Sequence, residues 1–185
     1  MRIIAGTLKG RRLDAPTWDG LRPTSDKLRE TLFNVLAPRI EGARVFDGYA
    51  GTGAVGIEAI SRGAGPVTFV EQDRRACALI AANLAKCLIA NGYAIIPTSV
   101  LQAIDRLHAR QREGEPAFDV ILLDPPYASD IHEALQQVGE IVKPDGLVVL
   151  EHARRSKPPL APGRLIQVRE LTSGDSALTL YTWQP

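Results

Sequence analysis

The chain has 185 residues, 45% of them hydrophobic and 23% charged, with 16 Gly, 13 Pro and a net charge of +1. That length suits one domain with its own core, and the balance excludes disordered, collagen-like and disulfide-framework chains. No run reaches the roughly 18 apolar residues of a membrane span and no export signal opens the chain, so a cytoplasmic protein without a membrane partner is expected. Arg2-Ile3-Ile4-Ala5-Gly6 and Arg11-Arg12-Leu13 read as a small hairpin around Thr7 to Gly10. Thr24, after Arg22-Pro23, is placed to N-cap a helix running to about Leu36, with Leu28, Leu32, Val35 and Leu36 as its apolar stripe.

From Val45 onward strands and helices alternate. Val45-Phe46-Asp47, Val67 to Glu71, Ala94-Ile95-Ile96, Phe118 to Asp124 and Leu147 to Glu151 are short, continuous apolar runs. Such runs belong to strands covered on both faces, the habit of parallel sheets. Helical patterns fill about 54–62, 74–90, 99–110 and 130–142. In the second, Ala76, Ile80, Asn83, Leu84, Cys87 and Leu88 keep a three-four rhythm. Leu165 to Arg169 and Ala177 to Trp183 flank the turn signal Ser173-Gly174-Asp175, which predicts a hairpin and an antiparallel strand among parallel ones. The expectation is a single α/β domain, with a hairpin-and-helix extension over 1–37 and a core over 43–185.

Charge is unevenly placed. Residues 1–30 hold seven basic side chains against four acids, or +3, so the rest of the chain carries −2. A second cluster, Arg154-Arg155-Ser156-Lys157, follows the fifth strand. Two basic clusters near one site favour an anionic partner such as nucleic acid. Cys77 and Cys87 lie ten apart on one predicted helix, about 15 Å by helical rise, too far to bridge. No His/Cys cluster has metal-ligand spacing, so no metal is expected. His108, His132 and His152 read as surface or structural residues.

Asp47-Gly48-Tyr49-Ala50-Gly51-Thr52-Gly53-Ala54-Val55-Gly56 carries the first chemical signal: an acid ends a strand, a glycine turn follows, and a helix begins. Glycines admit a ligand to backbone N–H groups. Glu71 ends the next strand, where a carboxylate can accept both ribose hydroxyls. Gly51 to Gly56 also fits the dinucleotide fingerprint G-x-G-x-x-G, so a NAD-binding oxidoreductase is a rival. Asp47 opposes it, because a pyrophosphate at the helix N-terminus would approach a like charge. A cofactor bearing an ammonium, S-adenosylmethionine, would be drawn to that acid.

The second signal is Asp124-Pro125-Pro126-Tyr127 at the carboxyl end of the fourth strand. Two prolines remove N–H donors and leave carbonyls as acceptors. Asp124 and the Pro125 carbonyl can then hold the two hydrogens of an exocyclic amine, with Tyr127 offering a stacking face for a base.

Together with Arg2 to Gly6, Arg22-Pro23-Thr24-Ser25-Asp26, Arg29-Glu30 and Glu58 to Ala64, these motifs make the chain resemble the RsmD family over nearly its whole length. Those enzymes are 16S rRNA (guanine(966)-N(2))-methyltransferases. The resemblance implies a class I S-adenosylmethionine-dependent, Rossmann-like fold: a seven-stranded sheet with an antiparallel last strand. It implies catalysis by Asp124, Pro125, Pro126 and Tyr127. The cofactor would lie on Asp47, Tyr49, Ala50, Gly51, Thr52, Gly53, Glu71, Gln72, Ser99 and Asp124. RNA would lie on Arg2, Lys9, Arg11, Arg12, Arg22, Thr24, Arg29, Arg154 and Arg155, with Lys157 beside the last two. The partner implied is 16S rRNA in an assembling 30S particle, met by a monomer. Tyr49 and Thr52 stand where the family usually has Phe and Ser, Ser99 where the adenine-contacting position is commonly Asp, and Ser173 where Tyr is frequent. Two further rivals are a DNA adenine-N6 methyltransferase, for whose usual target-recognition region 185 residues leave little room, and a catalytically idle RNA-binding protein, against which the intact Asp124 motif stands.

Overall fold

Consecutive residues of a strand point to opposite faces of its sheet, and each central strand of this chain is apolar at consecutive positions. The computed structural model, which describes residues 1–18, 26–126 and 131–184, shows where both faces go. The elements are α1 (Asp26–Leu36), β1 (Val45–Gly48), α2 (Ala54–Ser61), β2 (Val67–Val70), α3 (Arg74–Lys86), β3 (Tyr93–Ile96), α4 (Val100–Arg112), β4 (Phe118–Leu123), α5 (Ile131–Val138), β5 (Val142–Ala153), β6 (Leu165–Ser173) and β7 (Ser176–Trp183). Val45, Val120, Leu122 and Val149 pack on one face with residues of α1, α2 and α3. Phe46, Ile121, Leu123 and Val148 pack on the other with residues of α4 and α5.

The sheet order is β3-β2-β1-β4-β5-β7-β6. The first five strands are parallel, and β7 lies antiparallel between β5 and β6. This is the class I methyltransferase arrangement that the family resemblance implies, with the antiparallel strand that the last hairpin predicts. The sheet winds outward in both directions from β1 and β4, so their carboxyl ends border the crevice where doubly wound folds bind ligands.

Four boundaries differ from the sequence pattern. The second core helix ends at Lys86 rather than near residue 90, because Leu88 turns to φ 60°. Its successor Ile89 donates back to the Leu84 carbonyl at 3.0 Å, a Schellman-type stop. Leu88 therefore leaves the apolar stripe and stands 79% exposed. The helix expected over 130–142 ends at Val138, and β5 begins earlier, at Val142. There Gly146 sits where a Cβ would meet a Val142 methyl at 2.6 Å, so the first part of the strand is closely packed. Conversely α4 runs on to Arg112, two residues past the expected end.

The N-terminal segment is a minimal hairpin, as expected. Arg2 and Arg12 form an antiparallel bridge, Ile3 N–H donates to Arg11, and Gly10 N–H donates to Ile3. Ile3 and Leu13 point inward into the same core as Leu28, Leu32, Phe33 and Leu36 of α1. Residues 1–18 are called the arm below.

Candidate active site

Asp47, Glu71 and Asp124 stand at the carboxyl ends of three neighbouring strands, because β1 pairs in parallel with both β2 and β4 in matching register (Gly48 opposite Val70 and Leu123). The loop between β1 and α2 is shaped by backbone that only small residues adopt freely: Gly51 has φ 55° and Gly53 φ 74°. Tyr49, half-buried at φ 63°, holds the same left-handed region with a bulky side chain, a local strain of the kind that collects at ligand sites.

The helix after this loop has no cap of its own. Its N-cap residue is Gly53, without a side chain, and the missing acceptor comes from the sheet. Asp47 Oδ2 accepts the Gly56 N–H at 2.9 Å. Gly56 allows this approach, since a Cβ there would lie 2.2 Å from the Phe69 ring and 2.8 Å from Asp47 Oδ2. Glu71 braces the other side of the loop, accepting from Gly51 N–H at 3.0 Å and from Asp73 N–H at 2.8 Å. A carboxylate that accepts two such bonds keeps further lone pairs for ribose hydroxyls.

Burial pushes the Asp47 carboxyl up to about 8, the Gly56 N–H working against this and the nearby Asp124 and Glu71 charges adding to it. An acid held near neutrality by burial and like charge suits a cationic ligand, whose arrival restores its ionised form. The Glu71 and Asp124 charges beside the loop oppose a pyrophosphate, which weighs against the dinucleotide reading. S-adenosylmethionine, with its sulfonium and ammonium, fits these residues.

Among the other residues expected at the cofactor, Ala50 and Thr52 are buried in the loop and Gln72 is exposed beside Glu71. Ser99 is the N-cap of α4, its Oγ accepting from Gln102 N–H at 3.4 Å; the hydroxyl proton stays available to donate. On the acceptor side, Asp124 and Pro125 are half-buried and Pro126 is exposed at the end of β4. The Asp124 N–H donates to the Gly48 carbonyl at 3.4 Å, tying this turn to the glycine loop. Tyr127, Arg22 and Thr24 lie outside the described residues.

Arg2, Lys9 and Arg12 are exposed, and Arg11 is half-buried with Nη1 3.5 Å from the Lys86 carbonyl. Arg154, Arg155 and Lys157 are exposed just past β5, on the same sheet edge as Asp124. Arg29 departs from expectation. It is fully buried, with Nη2 donating to the Arg2 carbonyl at 2.6 Å and to Asp26 at 2.8 Å. Desolvation lowers its pKa, with Glu58 and Asp26 opposing. Arg29 ties α1 to the arm and offers nothing to an RNA phosphate.

Three arm anchors are absent from the sequence reading as site residues. Glu58, buried on α2, accepts from Ile4 N–H at 2.7 Å, Ala5 N–H at 3.0 Å and Arg62 Nε at 2.8 Å. Ser61 donates to the Ala5 carbonyl at 2.6 Å and accepts from Leu8 N–H at 3.0 Å. Asn83 on α3 accepts from Asp14 N–H at 2.7 Å. A legible signal exists for Asn83, an amide at an apolar-stripe position. His152 is structural: its ring nitrogens lie 2.9 Å from the Ala153 carbonyl and 2.7 Å from Thr179 Oγ1.

Comparison with known proteins bears on the family and the fold. The family model described as conserved hypothetical protein 95 matches residues 1–182. Ribosomal RNA small subunit methyltransferase D of Haemophilus influenzae is 37% identical, over 98% of this chain and 93% of its own length. The protein of the same name from Escherichia coli K12 is 34% identical, over 98% of this chain and 89% of its own. Among solved structures, the candidate methyltransferase yhhF of Escherichia coli superposes with a TM-score of 0.84 at 32% identity, covering 100% of this chain and 98% of that one.

Proposed function

This chain belongs to the family described as conserved hypothetical protein 95, and from that premise we propose that it methylates the exocyclic N2 amine of a guanine in 16S rRNA. The family and the fold make it an S-adenosylmethionine-dependent methyltransferase, and its relatives' names carry small-subunit rRNA as the substrate class. The observation that carries the reading is the placement of Asp124 and Pro125 at the end of β4, tied by the Asp124 N–H to Gly48, the last residue of β1 before the glycine loop. An acceptor pair for an amine thus borders the cofactor crevice.

When bound, S-adenosylmethionine supplies an electrophilic methyl on sulfur. The chain's own residues do the rest. Glu71 and the loop from Gly51 to Gly53 seat the cofactor, while Asp47 balances its positive charge. The Asp124 carboxylate and the Pro125 carbonyl accept the two N–H bonds of the guanine amine, which turns its lone pair toward the methyl. That lone pair is delocalised into the ring and weakly nucleophilic, so positioning and local electrostatics supply much of the acceleration. Exposed Arg2, Lys9 and Arg12 on the arm, and Arg154, Arg155 and Lys157 beyond β5, hold the RNA backbone. Among the described residues no helix is long and apolar enough to cross a membrane, and a small ribosomal particle under assembly in the cytoplasm is the substrate we favour, met by a monomer.

The test is incubation with labelled S-adenosylmethionine and 16S rRNA, naked and within 30S particles, followed by nucleoside analysis. N2-methylguanosine is expected, with the particle the better substrate. N6-methyladenosine as the product, or transfer to duplex DNA alone, would replace this reading with the adenine one.

A further inference from the structure

Asn83 is wholly buried, between Ile80 and Leu84 on the apolar face of α3. Its amide makes three hydrogen bonds to two separate pieces of backbone. Oδ1 accepts from Asp14 N–H at 2.7 Å, while Nδ2 donates to the Asp14 carbonyl at 3.2 Å and to the Thr52 carbonyl at 3.0 Å. Asp14 belongs to the arm; Thr52 sits between the two left-handed glycines of the cofactor loop. Both donor hydrogens of the amide are thereby used. A displacement of either backbone leaves a buried polar group without its partner, a cost far above that of an exposed bond.

The arm meets the loop and its supporting helix at other points too. Met1 Sδ lies 4.0 Å from Thr52 Oγ1, and Trp18 lies beneath the Arg75 guanidinium of α3 at 5.0 Å. Lys86 of α3 pairs with Asp14. Ile80, one turn before Asn83, packs under the loop, its Cγ2 3.1 Å from where a Cβ on Gly53 would stand. Residues 14–18 and the glycine loop therefore share α3 as a common support, and Asn83 is the side chain bonded to both.

We propose that Asn83 is a positioning residue that couples the arm to the cofactor loop, so that S-adenosylmethionine and RNA bind cooperatively. Seating the cofactor on Gly51 to Gly53 fixes the Thr52 carbonyl, and through Asn83 it fixes Asp14 and the basic hairpin before it. By linkage, RNA that orders the arm tightens cofactor binding by the same factor. The RNA half of this statement rests on the reading of the arm as an RNA contact; the arm-to-loop half does not.

Hydrogen exchange on the full wild-type chain tests the second half without RNA. Saturating S-adenosylmethionine should slow exchange in residues 1–18 as well as in 48–56. An arm whose exchange is unchanged by bound cofactor overturns the coupling. Calorimetry then gives the cofactor Kd with and without a 16S rRNA transcript. The wild type should show a ratio of about fivefold or more, the lower range of ordinary allosteric coupling. Asn83→Leu, branched alike though larger and bonded to neither partner, should bring the ratio to about one. Asn83→Asp, which keeps the acceptor for Asp14 but loses the donor to Thr52, should do the same. Ser61→Ala loosens the arm at Ala5 and Leu8 with no bond to the loop, and should keep the ratio. A merely structural Asn83 would lower the melting temperature and leave the ratio intact, which refutes the proposal. If both Asn83 variants fail to fold, the wild-type exchange result decides. Cofactor-protected arm amides together with unaltered RNA binding by an Arg11→Ala/Arg12→Ala variant would sink the RNA reading of the arm while the coupling stands.

Discussion

The glycine loop and the arm are both irregular backbone resting on α2 and α3, and they are held in opposite ways. The loop is fixed from the sheet: Asp47 and Glu71, each at a strand end, accept N–H groups of Gly56 and Gly51 nine and twenty residues away. The arm is fixed from the helices: Glu58, Ser61 and Asn83 bond to backbone 53–69 residues distant. The loop thus inherits the rigidity of β1 and β2, the middle of a doubly wound sheet. The arm depends on buried polar side chains of the helices, together with Arg29 and the core contacts of Ile3 and Leu13. The loop is built into the fold, and the arm is clipped onto it.

Breaking the clip should produce the largest effect. Glu58→Ala strips acceptors from Ile4 and Ala5 and leaves Arg29 and Arg62 near an emptied site. Removing one partner of a buried ionic group costs about 3–5 kcal/mol, or roughly 6–20 °C in Tm for a chain of this size. Differential scanning calorimetry measures it, and a shift under a few degrees would mean the arm is not anchored there. Next comes the acceptor turn. Asp124→Ala should lower methyl transfer about 10²- to 10³-fold, the scale of removing one preorganised electrostatic group, while calorimetry finds cofactor binding retained. A near wild-type rate would defeat the proposed role.

A smaller, two-sided effect should come from the loop's own acid. Asp47→Ala and Glu71→Ala each remove a charge-assisted hydrogen bond of roughly 1.5–3 kcal/mol, about 10- to 150-fold in cofactor affinity. Asp47→Asn, which can still accept from Gly56 N–H, should weaken cofactor binding yet stabilise the free protein. The sign follows from linkage. Asp47 titrates near 8 when folded and near 3.8 when unfolded, so the native state holds the extra proton between these values. Stability from this group is complete below about 4 and is lost as pH rises through about 8. The Tm advantage of Asp47→Asn over wild type should therefore grow from pH 5 to pH 8; an advantage independent of pH would remove Asp47 as its source. The mildest effect belongs to the arm's exposed charge. Arg11→Ala with Arg12→Ala should lower the salt slope of log RNA affinity by about 0.7–0.9 for each phosphate no longer neutralised, leaving cofactor affinity unchanged. Wild-type RNA binding across a salt series would move the grip to Arg154, Arg155 and Lys157.

The same contrast decides what the sequence discloses. A loop governed by neighbouring residues leaves a local record: Asp47 and Gly51 to Gly56 are legible because the turn, the helix start and the acid all fall within ten positions. The parallel central strands and the antiparallel β7 follow likewise from short apolar runs and a closing hairpin. Long-range docking leaves no such record. Glu58 and Ser61 enter the sequence reading only within the family motif Glu58 to Ala64, since nothing near them in the chain tells that Ile4, Ala5 and Leu8 will need partners. Arg29 is the converse case, counted with the basic residues by sequence and turned inward by Arg2 and Asp26. Helix ends such as Lys86 are hidden for a third reason: Leu88 continues the apolar rhythm while its backbone reverses.

The bridge between Arg2 and Arg12 has a thermodynamic consequence of its own. Residues directly opposite in an antiparallel pair project from the same side of the ribbon, so the hairpin sets two guanidinium side chains abreast. Salt should then act on the arm with two signs. In the free protein, screening over a Debye length of about 10 Å at 0.1 M relieves this repulsion and tightens the hairpin. In the RNA complex proposed above, the same ions would compete with phosphate for the same two side chains. Ionic strength would thus exchange one occupant of the hairpin's field for another, with small ions standing in for the nucleic acid until it arrives.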